Sequence, residues 1–361
     1  MNKKPKNPIR VAFLGMGWVA RKVWLPILLS HNGFLPYLCC DPPNQDTVEL
    51  VHSLYPAIDI AGTPEEIISS RPDLVWITTP NNLHSSQAIF FLERNISVFV
   101  EKPVCIKPTE LAALAAAVQV SDACLFPSQA SLMRHDVQML IDQIRQGAVG
   151  KIRLLEISWV RGKGIPTPGS WFTRKRTAGG GVGFDLGWHM LDVGLGLLDY
   201  PQTRNSMAFA FHDHIGNSDH HQADWHRGQG AISFVSPDVE DSLWAMVETE
   251  IGQGIHLHVA WVSDESLDKT SISVYGTKGK LELITTFGFS PHRIQLPYLV
   301  LKQSGAEKTI RIPREPLGTE YHRQVSAIHR FMLEKSSQTT SFIGISAVFN
   351  CISSIYDSLR T

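Results

Sequence analysis

Short, continuous runs of apolar residues recur through the first third of the chain, separated by segments with helical spacing. Runs without polar interruption are typical of strands buried on both faces of a parallel sheet. The predicted strands are residues 9–14, 34–40, 58–60, 74–78, 97–100 and 123–126. The predicted helices are residues 47–55, 84–94 and 108–118, with another beginning at the capping sequence 63–66. This alternation predicts a doubly wound parallel sheet of the Rossmann type.

The pattern changes after about residue 130, where apolar and polar residues begin to alternate over longer runs. Strands are predicted at residues 152–160, 207–212, 243–250, 255–262, 271–275 and 280–284. Amphipathic helices are predicted at residues 135–146, 321–333 and 345–359. We therefore expect a dinucleotide-binding domain over residues 1–127. A C-terminal α+β domain over residues 128–361, built on a large, mainly antiparallel, open-faced sheet, would bind the substrate and form oligomers.

Composition and charge add little to this picture. The chain has 361 residues, of which 43% are apolar and 19% charged, and its formal net charge is -1. Without a basic tract there is no electrostatic reason to expect nucleic acid or an anionic membrane surface as a partner. No apolar run is long enough to span a membrane, and the five cysteines form no C-x-x-C pair. These features predict a cytoplasmic protein with buried or free thiols.

A glycine-rich turn follows the first predicted strand. Gly15, Gly17 and Ala20 have the G-x-G-x-x-A spacing of a dinucleotide-binding loop, just before a helix-compatible segment. The first glycine permits a sharp turn, the second permits close approach of a pyrophosphate, and the alanine permits close packing of helix on strand. Phosphates would then lie at the positive N-terminal end of the helix. Because ordinary strand-to-helix turns also contain such glycines, a second signal is needed.

An acidic residue at the end of the second predicted strand supplies that signal. Asp41 follows residues 34–40, where a carboxylate can accept hydrogen bonds from the adenosine ribose hydroxyls. Residues 42–46 contain no Arg or Lys that would neutralise a 2′-phosphate, which favours NAD over NADP. Asp is also common in turns, so the alternative is that Asp41 only opens the turn before two prolines.

Two further motifs follow predicted parallel strands, at the carboxyl ends where ligands bind in open α/β sheets. They are T-P-N-N-L-H from Thr79 to His84 and E-K-P from Glu101 to Pro103. A third, G-G-G-V-G-F-D-L-G-W-H-M-L-D, runs from Gly179 to Asp192. With the glycine turn and Asp41, these motifs resemble those of the Gfo/Idh/MocA family of NAD(P)-dependent sugar and cyclitol oxidoreductases. The resemblance covers nearly the whole chain, with the motifs in the expected order.

The third motif contains a candidate acid/base pair. Asp185 and His189 are four residues apart and would share one face of a helix. Oxidation of a secondary alcohol needs a base for the hydroxyl proton, and imidazole suits this role because its pKa lies near neutral pH. We expect His189 to be the general acid/base, Asp185 to bind a substrate hydroxyl or orient the imidazole, and Lys102 to stabilise the developing alkoxide. The structural alternatives are a core histidine, a helix cap and a solvated lysine.

The predicted cofactor-binding set comprises the glycine turn, the acidic residue and the two motif loops: Gly15, Gly17, Trp18, Val19, Ala20, Asp41, Thr79, Pro80, Asn81, His84, Glu101 and Lys102. Asn81 and His84 would lie near the nicotinamide or the phosphates, although Asn is also a common helix cap. Trp18 would cover the cofactor or act as a hydrophobic staple.

A cationic loop, residues 161–176, would cap the substrate pocket. Trp171 would stack on a sugar ring, while Lys163 or Arg176 would hold an anionic group. The alternative is a solvated loop that Trp171 holds against the core. The predicted substrate-binding set is Lys102, Arg134, Lys163, Trp171, Arg176, Asp185 and His189.

A histidine-rich stretch raises the question of a zinc site. Its members are His212, His214, His220, His221 and His226. They lack a regular ligand spacing, and hydride transfer to a nicotinamide needs no metal, so no metal site is predicted.

The predicted function is NAD-dependent hydride transfer between the nicotinamide and a ring secondary alcohol or ketone of a sugar, sugar derivative or cyclitol. The alternative is a non-catalytic dinucleotide-binding sensor or scaffold of the same fold. Lys102, Asp185 and His189 favour the enzyme, because a pure binder needs no acid/base pair. The resemblance also implies a homodimer or homotetramer, and it implies that in some relatives NAD stays bound through each turnover.

Overall fold

The computed structural model describes residues 7–41, 45–216, 236–334 and 339–359. They form two compact units. The first contains the described residues up to Ser128 together with Tyr321–Phe342. The second contains Gln129–Glu320 and the described residues from Ile343 onward.

The first unit is built on a parallel sheet of six strands in the order β3-β2-β1-β4-β5-β6. The strands are β1 (Ile9–Leu14), β2 (Phe34–Cys40), β3 (Asp59–Ala61), β4 (Leu74–Ile77), β5 (Ser97–Val100) and β6 (Leu125–Pro127). The predicted doubly wound sheet is confirmed. Chain order reverses between β1 and β4, and ligands of such sheets bind at the carboxyl ends of the strands at this switch point.

Most helices follow the predicted segments. Those in the first third are α1 (Leu25–Ser30), α2 (Gln45–Leu54), α3 (Pro64–Ser69), α4 (Asn81–Leu92) and α5 (Pro108–Val120). They are followed by α6 (His135–Arg145), α7 (Lys175–Ala178), α8 (Trp188–Gly196), α9 (Thr319–Glu334) and α10 (Thr339–Ser358). The short helix α7 was not predicted, and α10 begins six residues before its predicted start. None of the helices within the described ranges is both long and apolar enough to cross a membrane.

The second unit is built on a sheet of eight strands in the order β14-β13-β12-β11-β7-β10-β9-β8. Its strands are β7 (Ile152–Val160), β8 (Thr203–Phe211), β9 (Ser242–Thr249), β10 (Gly254–Ala260), β11 (Lys269–Gly276), β12 (Lys280–Thr285), β13 (Tyr298–Gln303) and β14 (Ala306–Arg311). Only the central pair β7 and β10 runs parallel, so the predicted mainly antiparallel sheet is confirmed.

The hairpin of β13 and β14 was not predicted. Its strands have few buried residues, so they lack the apolar alternation that reveals a strand. The hairpin turn is made by Ser304 and Gly305. Both have positive φ angles in the structure, as the two central residues of a type I′ turn require.

Helix α9 departs from the predicted domain boundary, since Tyr321–Phe342 belongs to the first unit and not to the second. The Tyr321 ring packs edge-on against Trp24 at 5.0 Å between centroids, and Phe331 packs against Phe126 at 5.5 Å. A helix that follows the second domain in sequence carries no local sign of which core it joins.

Candidate active site

The glycine turn after β1 lies against the end of β4. Gly15 has φ +89, and a Cβ at this position would come within 2.8 Å of the backbone of Thr78 and Thr79. The Thr78 hydroxyl donates a hydrogen bond of 2.6 Å to the Gly15 carbonyl. Only glycine therefore fits here, for reasons of both conformation and space.

The space at Gly17 is open, since a Cβ there would meet no heavy atom within 4 Å. The residue is exposed, whereas Ala20, at the start of a short π-helical turn (Ala20–Trp24), is fully buried. An uncrowded glycine backbone before a tightly packed alanine fits a loop that a pyrophosphate can approach. The residues present therefore suit a bound dinucleotide.

Asp41 follows β2, and its Oδ2 accepts a hydrogen bond of 3.0 Å from the Met16 amide in the glycine turn. Burial raises the pKa of Asp41, while this hydrogen bond and the charge of Arg21 act in the opposite direction. One carboxylate oxygen thus holds the turn in shape. Among the described residues, Oδ1 accepts no hydrogen bond, which suits it for the predicted ribose contact.

His84 holds together the two motif loops of the first unit. Its Nδ1 lies 2.7 Å from the carbonyl oxygen of Pro103, and its Nε2 lies 2.7 Å from that of Thr79. The ring is 1% exposed, and burial lowers its pKa. Because both nitrogens face backbone carbonyls, the ring is positioned to hold the two loops together, and its predicted place near the cofactor stays a prediction.

Glu101 is also turned inward. Its Oε1 accepts hydrogen bonds from the Trp24 indole at 2.7 Å and the Ser128 hydroxyl at 3.3 Å. Its Oε2 accepts a bond of 2.9 Å from the backbone amide of Lys102. Burial raises the pKa of Glu101, and the charge of Lys102 opposes this. The carboxylate therefore fixes the backbone of Lys102 from inside the unit.

In the second unit, the predicted helix carries Asp185 and His189, and its first turn, Gly183–Gly187, is π-helical before it continues as α8. Such wide turns are frequent at functional sites. The Oγ of Ser131 lies 3.1 Å from Nδ1 of His189. The Trp159 ring packs against the imidazole at 5.7 Å between centroids. These contacts fix the imidazole plane.

Two residues that were not predicted hold Asp185. The Trp261 indole donates a hydrogen bond of 2.9 Å to its Oδ2, and the Arg161 guanidinium lies 4.0 Å from the same oxygen. Arg161 is 8% exposed and also covers the face of Trp159 at 5.1 Å. The indole N–H and the buried cation both lie at one oxygen of Asp185 and so fix the orientation of the carboxyl group, which suits it for binding a substrate hydroxyl.

Asp192 lies one turn beyond His189 and is 4% exposed. It accepts hydrogen bonds from the Gln129 amide at 3.0 Å and the Tyr200 hydroxyl at 3.2 Å. Burial raises the pKa of Asp192 to about 7, and the two hydrogen bonds oppose the shift. Gln129 comes two residues before Ser131, so one short segment contacts α8 at two points.

Arg134 lies in a cleft away from these contacts, on the wall formed by α6 and the end of β12. Its guanidinium makes two hydrogen bonds to Asp136, at 3.0 and 2.7 Å, and lies 3.4 Å from Glu320. It also covers the Phe287 ring, which packs against Trp159. The rings of Phe287 and Trp159 thus link Arg134 to His189.

The cationic loop, residues 161–176, has one cation that is buried and others that are exposed. Arg161 is buried at Asp185, whereas Lys163 and Arg176 are exposed. Trp171 is 36% exposed and packs on Phe172 at 4.9 Å between centroids. Phe172 in turn packs on Trp261, so the indole of Trp171 is two rings away from Asp185.

In the described part of the chain, no three His, Cys, Asp or Glu side chains are placed to hold a metal ion. His212 and His214 lie within that part. His220, His221 and His226 lie outside the described residues.

Two family models match the chain. One, described as "Oxidoreductase family, NAD-binding Rossmann fold", covers residues 9–128, and the other, "GFO/IDH/MocA C-terminal domain", covers residues 137–282. The fold and the site define a dinucleotide-binding oxidoreductase. The chain belongs to the Gfo/Idh/MocA family and is an NAD(P)-dependent enzyme of that family.

Its relatives include sugar oxidoreductases. A candidate UDP-kanosamine synthase oxidoreductase subunit of Amycolatopsis mediterranei is 31% identical over 352 residues, which cover 97% of this chain and 96% of that protein. The D-glucoside 3-dehydrogenase of Escherichia coli is 25% identical over 304 residues, covering 82% and 83%. Levoglucosan dehydrogenase, solved with NADH and levoglucosan, has the same fold, with a TM-score of 0.79 at 17% identity and 98% coverage of both chains.

Proposed function

We propose that the protein is an NAD-dependent dehydrogenase or ketoreductase that acts on a ring secondary alcohol of a sugar, sugar derivative or cyclitol. The observation that carries this proposal is that neighbouring side chains fix the orientation of both His189 and Asp185 in the second unit. The His189 imidazole is oriented by Ser131 and Trp159, and the Asp185 carboxylate is held by Trp261 and Arg161. Such orientation is what a general acid/base requires.

In the proposed mechanism, Nε2 of His189 takes the proton of the substrate hydroxyl during oxidation and returns it during reduction. Asp185 accepts a hydrogen bond from a neighbouring hydroxyl and thereby orients the ring. Lys102 stabilises the negative charge that develops on the substrate oxygen. The dinucleotide, when bound, accepts or donates the hydride. Gly15, Gly17, Trp18, Val19, Ala20, Asp41, Thr79, Pro80 and Asn81 are the residues we propose to hold it.

The cofactor preference we propose is NAD. A carboxylate at the end of β2 binds ribose hydroxyls and repels a 2′-phosphate. Asp41 has this position, and its Oδ1 accepts no hydrogen bond among the described residues. The positive charge of Arg21 opposes the rise in the pKa of Asp41 that burial causes. Both side chains therefore contribute to the electrostatic potential at this position.

The names of two relatives favour a glycosidically linked sugar as substrate. One is a D-glucoside 3-dehydrogenase, and the other carries a nucleotide sugar in its name. We propose that the C3 hydroxyl of a hexose is the reacting group. Trp171 would face the sugar ring, and Lys163 or Arg176 would hold an anionic group linked to it, while Arg134 stays in the proposed substrate-binding set.

The exposed face of the large sheet is the surface that we propose for a homodimer or homotetramer. Large apolar side chains on its β8 and β9 edge are open to solvent, among them Met207 at 63%, Phe209 at 60% and Met246 at 50% exposure. Apolar side chains that cluster on a solvent-facing sheet are typical of interaction surfaces.

The test is a fluorescence titration of the purified protein with NADH and NADPH, after mass spectrometry for cofactor carried through purification. Binding would be followed by a screen of glycosides, nucleotide sugars and cyclitols for NADH production. The expected result is tight NADH binding and turnover that is lost in His189→Gln. Binding without turnover on any of these classes would favour the non-catalytic alternative. Absence of binding, in folded protein free of cofactor, would contradict the proposal.

A further inference from the structure

A buried carboxylate lies under the glycine-rich turn that leads into the helix of Asp185 and His189. Glu240 is 6% exposed. Its Oε1 accepts hydrogen bonds of 3.0 Å from the amides of Gly181 and Gly183, and its Oε2 accepts a second bond of 3.0 Å from Gly181. The Val182 amide between them donates to the backbone carbonyl of Glu240 at 3.1 Å. One residue thus binds three consecutive amides.

A tyrosine from the last helix completes this arrangement. The Tyr356 hydroxyl on α10 donates a short hydrogen bond to Oε1 of Glu240. A Cβ at Gly183 would come within 2.6 Å of the same hydroxyl, and a Cβ at Gly181 would overlap the Glu240 carbonyl oxygen. The motif glycines are therefore required by the close approach of Glu240 and Tyr356, which leaves no room for side chains.

The residue after Glu240 holds the other side of the same site. The backbone carbonyl of Asp241 accepts a hydrogen bond of 2.9 Å from the Trp261 amide. The Trp261 indole is the donor to Asp185. Two consecutive residues therefore reach Asp185 by different routes, one through the turn before it and one through the indole that binds its carboxylate.

We propose that Glu240 is a positioning residue for the reaction: together with Tyr356, it anchors the N-terminal end of the helix that presents Asp185 and His189. The inference rests on the proposed function, because it takes these two side chains as reacting groups. Holding this turn fixes where the imidazole points, and misplacement by about 1 Å can cost on the order of 100-fold in rate.

The test compares Glu240→Gln and Tyr356→Phe with the wild type. Glutamine keeps the size of the side chain, but in either orientation its NH2 group faces the Gly181 amide, which is itself a donor. We expect Glu240→Gln to lower kcat by roughly 10- to 100-fold with little change in KM, and Tyr356→Phe to have a smaller effect of the same kind. The NADH dissociation constant should not change, because these residues lie in the second unit.

Hydrogen exchange of peptides over residues 179–189 supplies a readout that needs no substrate. Both variants should exchange faster there than the wild type. The matched control is Tyr37→Phe, which removes a hydroxyl that contacts Ser70 in the first unit and should change neither rate nor exchange over these peptides.

The outcomes separate the two proposals. A wild type without turnover would contradict the proposed function, while exchange would still decide whether Glu240 holds the turn. Unchanged exchange in both variants would overturn the anchor. If the enzyme is active, kcat is measured per folded molecule. Faster exchange with an unchanged kcat would then overturn the positioning role and show that Glu240 contributes only to stability.

Discussion

The hydroxyl of Ser131 lies 3.1 Å from Nδ1 of His189, although 58 residues separate them in the sequence. Ser131 belongs to a short 3-10 turn, Ala130–Met133, just after the chain enters the second unit. Because this contact involves Nδ1, it directs Nε2 as the nitrogen that exchanges a proton with the substrate.

Ser131→Ala should therefore slow the reaction without abolishing it. Loss of one neutral hydrogen bond costs about 0.5–1.5 kcal/mol, which corresponds to a fall in kcat of roughly 2- to 10-fold. His189→Gln should cost on the order of 10²- to 10⁴-fold. Steady-state kinetics with NAD at saturation would measure both. Ser206→Ala, which removes a hydroxyl bonded to Ser354, is the matched control, and an equal effect of both alanines would contradict the orienting role.

The two glycines of the first turn should respond differently to alanine. Gly17→Ala meets no heavy atom, so its unfolding free energy should stay within about 0.5 kcal/mol of the wild type. Its methyl group would occupy the approach of the pyrophosphate and weaken NADH binding at least about tenfold, or about 1.4 kcal/mol. Gly15→Ala should destabilise the fold by about 1–3 kcal/mol, because of its positive φ and contact with Thr78.

Denaturant unfolding and NADH titration of both variants would measure this difference. Normal NADH binding by Gly17→Ala would show that the dinucleotide does not approach this loop.

Asp41→Ser should shift cofactor preference toward NADPH. The variant loses the proposed ribose acceptor and its negative charge, so NADH binding weakens while repulsion of a 2′-phosphate disappears. We expect the ratio of the two dissociation constants to change by about tenfold or more, equivalent to about 1.4 kcal/mol. Parallel titrations would measure the ratio, and Arg21→Gln is the complementary variant, expected to weaken NADPH more than NADH. Equal weakening of both cofactors by Asp41→Ser would place Asp41 away from the ribose.

Asp192 should make stability depend on pH. Its pKa is raised from 3.8 to about 7 by burial, so between these values the folded protein holds a proton that the unfolded chain has released. The unfolding free energy should therefore fall as pH rises through this window, by up to about 1.4 kcal/mol per pH unit, and level off above it.

Asp192→Asn should remove this contribution, because an amide does not titrate. Urea unfolding of both proteins at several pH values from 4.5 to 8 would measure the difference, which should grow in favour of the variant toward neutral pH. Parallel curves would show that Asp192 is ionised in the folded state throughout.

Continuous apolar strands and helical spacing were enough to predict the parallel sheet and most of the second one, because those patterns are local. The hairpin of β13 and β14 was missed since its strands bury few residues, and only Ser304 and Gly305 marked its turn.

In the candidate site, too, the sequence revealed the residues of a local motif but not the partners that contact them. Asp185 and His189 were found because they share one motif, whereas Arg161, Trp261 and Ser131 reach them from distant parts of the chain. His84 was found by its motif, but the sequence does not show that both its ring nitrogens face backbone carbonyls. Motifs reveal which residue types are present, while their partners depend on tertiary pairing.

The placement of α9 has a practical consequence for dissecting the protein. A fragment ending at Ser128 would lack the ring contacts that Tyr321 makes with Trp24 and that Phe331 makes with Phe126. It would therefore expose the Trp24 and Phe126 rings to water. A fragment beginning at Gln129 would carry the same helix without the core it packs on. Neither unit is a continuous piece of sequence, so a single cut yields two incomplete halves. A soluble dinucleotide-binding fragment would need residues up to 128 fused to a copy of α9.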